Sequence, residues 1–153
     1  MKRMVGLFEY KEGDLIWKVR SGNRIHVGDI AGTIATVGRR YVQVEGKKHL
    51  VHRIIWFMHY GDCPEFLDHI DGNPLNNRIE NLRPATKAQN AMNRRVMKTN
   101  KLKTKGVHKR GDKYYAQIAM SGNVFPLGSF STLLEASATY QRAALKHFGE
   151  YAR

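Results

Sequence analysis

Cysteine is almost missing from this chain of 153 residues: Cys63 stands alone. One thiol cannot build an intrachain disulfide framework or a multi-cysteine zinc knuckle. Such sparing use suits a reducing compartment. Long apolar runs are missing too. The longest, Ile54-Ile55-Trp56-Phe57-Met58, has five residues, far short of the roughly 20 that a membrane helix needs. The first residues, MKRMVGLFEYKEG, carry two basic side chains but too short an apolar core for a signal peptide. A soluble, cytoplasmic protein with no membrane contact is therefore expected. Acidic residues are scarce, 13 Asp and Glu against 26 Lys and Arg, for a formal charge of +13. That surface attracts polyanions: nucleic acid, an acidic membrane or an acidic protein. A merely solvated positive face is the bland alternative.

The rest of the composition is ordinary, with 42% hydrophobic residues. The length suits one compact domain or two small ones joined by a linker. Residues 1–50 read as short strands and turns. Leu15 to Val19 is strand-like. Arg40 to Val44 alternates polar with apolar, Glu45-Gly46-Lys47 supplies a turn, and Lys48 to Val51 returns, which predicts a hairpin. His52 to Tyr60 is apolar and is followed by Gly61. It fits a short buried helix with a glycine cap, with a strand as the competing assignment.

Residues 67–93 read LDHIDGNPLNNRIENLRPATKAQNAMN and hold six asparagines, two aspartates and one histidine. Asn favours turns, so this segment could be no more than a polar loop. Its spacing suggests something sharper. Phe66 to Ile70 predicts a strand and Asp71-Gly72-Asn73-Pro74 a turn. Thr86-Lys87-Ala88-Gln89 has the form of a capping box, predicting a helix from there to about Arg95. Adjacent strand residues point to opposite faces, so Asp68 and His69 share a site only where the strand ends or bends. If the helix packs against that strand end, Asn90 meets Asp68, with Asn93 one turn further on. A carboxylate and an amide oxygen suit magnesium or manganese rather than zinc. His69, with an ordinary pKa near neutrality, would then lie beside a metal-bound phosphate as a base.

Val51-His52-Arg53, Asp68-His69-Ile70-Asp71-Gly72-Asn73, Asn76-Asn77-Arg78-Ile79-Glu80-Asn81-Leu82-Arg83 and Gln89-Asn90 together resemble the HNH endonuclease family. The match runs over roughly residues 40–95 and is nearest to the phage and intron-encoded homing branch. The resemblance implies an α+β fold with a ββα-metal nuclease core around one divalent ion, Mg2+ or Mn2+. It implies Asp68 and Asn90 as metal ligands and His69 as general base. Asn81 would hold the loop and help to orient His69. Asn90 stands where the last histidine of the family name would be, as is usual in the homing branch. Double-stranded DNA would be the substrate, in the cytoplasm of a phage-infected bacterial host. Products would carry 5′-phosphate and 3′-hydroxyl ends. Asn76 and Asn77 would pin the loop by side-chain to backbone hydrogen bonds. No protein partner is implied, and the chain could act as a monomer or a dimer. Two alternatives stand beside this: a less specific phage nuclease of the same chemistry, and a non-cleaving DNA-binding regulator.

Beyond the core, residues 94–113 hold nine Lys or Arg and one acidic residue. This stretch reads as an exposed basic linker or a solvated tether. Arg94, Arg95, Lys98, Lys101 and Lys103 are its candidate phosphate contacts. From Lys105 the pattern predicts three strands separated by Gly111-Asp112 and Ser121-Gly122-Asn123. A capping box, Thr132-Leu133-Leu134-Glu135, then opens an amphipathic helix to about Phe148, closed by Gly149. Lys105-Gly106-Val107, Lys113 to Ile118, Leu127-Gly128-Ser129-Phe130, Glu135-Ala136, Tyr140, Ala143-Ala144 and Phe148-Gly149 resemble the APETALA2-like DNA-binding domain. That resemblance implies a sheet lying in the major groove with a helix behind it. Lys105, His108, Arg110, Lys113 and Gln117 would face DNA. Pro126 stands where plant members carry a large aromatic, so their base preference does not carry over. Tyr115 and Phe125 could equally be core residues, and Phe130 and Phe148 are read as core. The expected domains are an N-terminal strand region (1–50), the nuclease core (51–95), a basic linker (96–104) and the DNA-binding module (105–153).

Overall fold

A computed structural model of the protein describes residues 2–36, 38–94, 96, 97 and 99–152. The described residues form a mixed fold of short helices and several small sheets, all with antiparallel pairing. The chain divides into two units, Met1–Lys87 and Ala88–Arg153.

In the first unit, a short helix α1 (Lys2–Val5) precedes a hairpin of β1 (Phe8–Lys11) and β2 (Asp14–Trp17). A second sheet joins β3 (Thr33–Ile34), β4 (Arg40–Val44) and β5 (Lys47–Leu50) in that order. The predicted hairpin at Arg40 is thus present, although Val51 already belongs to the next helix. Helix α2 (Val51–Tyr60) settles the choice between helix and strand. It buries Val51, Ile54 and Ile55 completely against Phe8, Leu15 and Trp17. A helix wins because its apolar stripe covers both hairpins, a task that a single strand would leave half done. Gly61 stops it in the left-handed conformation, φ 77°, donating its N–H to Phe57 O at 2.9 Å.

Strand β6 (Phe66–His69) pairs with β7 (Leu82–Ala85), Asp68 opposite Arg83 and His69 opposite Leu82. Pro84 hid β7 from sequence analysis, since proline cannot donate to a ladder. A two-stranded ribbon tolerates it because one edge needs no partner. The loop between the strands closes with a 3-10 turn at Ile79–Asn81. The first hairpin braces it from below: Ile79 N donates to the Tyr10 hydroxyl at 3.1 Å. At the hairpin turn, Gly13 (φ 96°) comes so close that a Cβ there would lie 2.9 Å from Arg78 N.

Helix α3 covers only Lys87–Met92 and buries none of its residues, shorter than the expected run toward Arg95. A single turn and a half that buries none of its residues gains no packing to carry it further. In the second unit, β8 (Val107–Arg110), β9 (Lys113–Met120) and β10 (Asn123–Phe130) form a sheet ordered β10-β9-β8. Helix α4 (Leu133–Phe148) packs on one face. The capping box at Thr132 is complete, with both reciprocal hydrogen bonds to Glu135 in place. The core is small: Val107, Ala116 and Ala136 are buried, with Leu102, Phe130 and Tyr140 against them. Leu102 belongs to the stretch read as exposed linker. It is held there by a turn in which Asn100 Nδ2 donates to Thr104 O at 2.7 Å.

Candidate active site

His69 is the last residue of β6 and is 6% exposed. Its Nε2 lies 3.0 Å from Asn77 Oδ1. The edge of the His52 ring, from the first turn of α2, packs on it with centroids 5.0 Å apart and planes 64° apart. Burial pushes the His69 pKa below its ordinary value, with the Arg39 charge in the same direction. The Asn77 hydrogen bond and the carboxylates of Asp71 and Asp68 oppose that shift without cancelling it. His52 goes further, pushed down to about 3 by burial, then by the His69, Arg39 and Arg53 charges. At about 3, the His52 pKa leaves that imidazole neutral at pH 7, and the direction of the His69 shift favours its neutral ring as well.

Asp68, also buried, takes a different partner. Arg83 donates from Nε and Nη2 to Asp68 Oδ2 at 3.2 and 3.1 Å. The cross-strand register makes this pair, and 9% and 7% side-chain exposure makes it a buried one. Sequence analysis missed Arg83 because β7 was not recognised, and with it the positive charge beside the proposed ligand.

The six asparagines divide their work. Asn81 Nδ2 donates to Asp71 Oδ1 at 3.0 Å and to Asn76 O at 2.7 Å, while its Oδ1 accepts from Asp71 N at 3.0 Å. Asn76 Nδ2 donates to Asp71 Oδ2 at 2.8 Å, and Asn73 N to Asp71 Oδ1 at 2.7 Å. Burial disfavours the Asp71 carboxylate, but the hydrogen bonds from Asn76, the Asn73 backbone and Asn81 outweigh it and hold the pKa low. Asp71, given no role from sequence, is thus the hub of the loop. Asn76 and Asn77 both differ from the expectation of backbone pinning, since the side chain of Asn76 goes to the Asp71 carboxylate and that of Asn77 to His69. Asn90 lies half-buried on α3 and Asn93 is buried just beyond it, both in the second unit.

Asp68 in the first unit offers a carboxylate and Asn90 in the second an amide oxygen, each by itself a donor type that suits a hard divalent cation. Among the described residues, no group of three or more His, Cys, Asp or Glu side chains could hold a metal.

In the second unit, strand alternation sends Lys113, Tyr115 and Gln117 away from the face that α4 covers. The register places His108 beside Tyr115 and Arg110 beside Lys113 on that open face. The His108 and Tyr115 rings stack, with centroids 5.5 Å apart and planes at 16°. Tyr115 is thus a face residue rather than a core one. Lys105 is half-buried and its Nζ donates to Met92 O at 2.6 Å. Arg94, Lys101 and Lys103 are exposed. Arg95 and Lys98 lie outside the described residues. No helix among the described residues is long and apolar enough to cross a membrane.

A buried histidine at a strand end, the buried aspartate next to it in sequence and an asparagine-locked loop lie within one short segment of the first unit. Residues 49–92 match the family described as HNH endonuclease. The chain is 32% identical over 106 residues to protein 3.8 of Escherichia phage T7, covering 67% of this chain and 87% of that protein. It is 36% identical over 111 residues to an uncharacterized HNH endonuclease of Acanthamoeba polyphaga mimivirus, covering 70% of this chain and 57% of that one. No solved structure matches. The chain belongs to the HNH endonuclease family and is a nuclease.

Proposed function

We propose that the protein is a metal-dependent DNA endonuclease of homing type that hydrolyses phosphodiester bonds at a preferred site. The observation that carries this reading is His69, buried, shifted toward its neutral ring and hydrogen-bonded at the end of β6 within the family-matched segment. His69 takes a proton from water as the water oxygen attacks phosphorus. The bond from phosphorus to the 3′ oxygen breaks, and that oxygen takes a proton from solvent. The products carry 5′-phosphate and 3′-hydroxyl ends. Asp68 and Asn90 would hold one divalent ion, Mg2+, which would supply charge neutralisation at the phosphate and at the departing oxygen. Asn81 keeps the loop closed over His69 through Asp71 and Asn76.

The second unit would act as an APETALA2-like reader of double-stranded DNA. The open sheet face with His108, Arg110, Lys113 and Gln117 supports this, as does the +13 charge. Arg94, Arg95, Lys98, Lys101, Lys103 and Lys105 would add phosphate contacts, with Lys105 committed in part to Met92. A second module raises the effective concentration of DNA at a small catalytic core. The test is end mapping. The protein is incubated with fragmented phage and host DNA plus Mg2+, with an EDTA control and His69→Ala in parallel, and all new ends are sequenced. Discrete ends that vanish in both controls are expected. Scattered ends would indicate a less specific nuclease. Binding without any new ends would indicate a regulator.

A further inference from the structure

Asp68 is not a bare carboxylate. Arg83, directly across the ribbon, donates from Nε and Nη2 to one and the same oxygen, Oδ2, and both side chains are buried. A buried ion pair is a poor device for joining two strands. Desolvating both charges offsets most of their attraction, and apolar side chains of similar size would serve as well or better. One position along, the ribbon does pair Leu67 with Pro84. The ion pair also bears on a cation. A guanidinium in hydrogen-bond contact with the Asp68 carboxylate repels any divalent ion that approaches that carboxylate, and burial leaves the repulsion poorly screened. Neighbouring charges do not redress the balance. Asp71 supplies a second carboxylate, but Asn76, Asn81 and the Asn73 backbone hold it. Arg39, exposed just before β4, adds a second guanidinium whose charge reaches both His52 and His69. Two carboxylates against two guanidiniums leave this part of the site with no net charge to draw in a cation. A DNA phosphate supplies what is missing, because its oxygens serve a guanidinium and a metal ion alike.

We propose that Arg83 is a positioning residue that withholds Asp68 from the divalent ion until a DNA phosphate arrives, so that metal and substrate bind in positive linkage. This rests on Asp68 being a metal ligand, and the two ideas fail separately. Mn2+ is the probe, and the EPR signal of free Mn2+ reads its binding to the full-length protein at pH 8. Asp68→Asn identifies the binding that depends on Asp68. Without DNA, Arg83→Gln removes the charge and should tighten that binding roughly tenfold or more. A merely structural Arg83 predicts the reverse, a weaker site. Arg83→Lys keeps the charge and should stay close to the wild type. Fragmented phage and host DNA is then added in a His69→Ala background. It should tighten Mn2+ binding roughly tenfold with Arg83 in place and by under about threefold with Arg83→Gln. If Arg83→Gln does not fold, the wild-type side chain decides. Its Nε–H resonance should be protected from exchange in the metal-free protein and lose that protection when Mg2+ and DNA are both saturating; a signal that stays protected overturns the proposal. If no Mn2+ binding depends on Asp68 in any of these proteins, with or without DNA, the ligand assignment falls and this inference with it. If Asp68-dependent binding is present but Arg83→Gln leaves it equal or weaker, only this inference falls.

Discussion

Acid should loosen the first unit through His52. Its pKa is about 3 in the folded protein against an ordinary 6.5. Between those values the unfolded chain carries a proton that the folded chain does not. Stability is therefore complete above pH 6.5 and falls as the pH drops toward 3. One pKa unit corresponds to about 1.4 kcal/mol. From pH 7 to pH 5 the unfolded His52 becomes almost fully charged, which removes about 2 kcal/mol. His69 is shifted in the same direction and steepens the slope. The low-lying Asp71 does not enter this window, because its effect begins only below the ordinary carboxylate value of 3.8. Trp17 and Trp56, the chain's two tryptophans, both lie in the core of the first unit, so their fluorescence reports its unfolding alone. Urea titrations at pH 5 and 7 on the wild type and on His52→Phe supply the numbers. Phe keeps an aromatic edge against His69 but cannot titrate, so the variant should lose about 2 kcal/mol less on acidification. Equal losses in the two proteins, within 0.5 kcal/mol or so, would refute the assignment of this slope to His52.

Arg83→Ala should cost about 3–5 kcal/mol, because it strips the guanidinium from a buried carboxylate. If Asp68 binds the ion, added Mg2+ should raise the melting temperature of this variant, and an unchanged value would count against Asp68 as a ligand. Gly106→Ala should destabilise the second unit by roughly 2–5 kcal/mol in urea unfolding followed by amide exchange on β9. Gly106 sits at φ 63° with a Cβ position 2.1 Å from the Tyr140 ring, so a loss below about 0.5 kcal/mol would contradict that geometry. Arg110→Ala and Lys113→Ala should each lower the slope of log K against log salt by about 0.9 in DNA-binding titrations, and unchanged slopes would take the open sheet face out of the interface.

Much of the second unit was legible in the chain. Turn pairs at Gly111-Asp112 and Ser121-Gly122 delimit the strands, and the Thr132 capping box marks the start of α4. These signals act between near neighbours, so they survive without tertiary context. The first unit was harder to read. Pro84 argues against a strand by local rules, yet β7 forms because β6 lies beside it and its other edge asks for no donor. The run after Thr86 argues for a longer helix, yet α3 ends at Met92 with none of its residues buried.

By itself the sequence determined the charge, the nature of the donors and which residues could do chemistry: Asp68, His69 and the asparagines of one short run. These follow from residue type and spacing, which no fold can alter. Tertiary structure alone decided how they are paired. It set Arg83 on Asp68, made Asp71 the hub that Asn76 and Asn81 share, and gave Asn77 to His69. Loop geometry chooses among six chemically identical amides, and that geometry depends on Gly13 and Tyr10, more than sixty residues earlier in the chain.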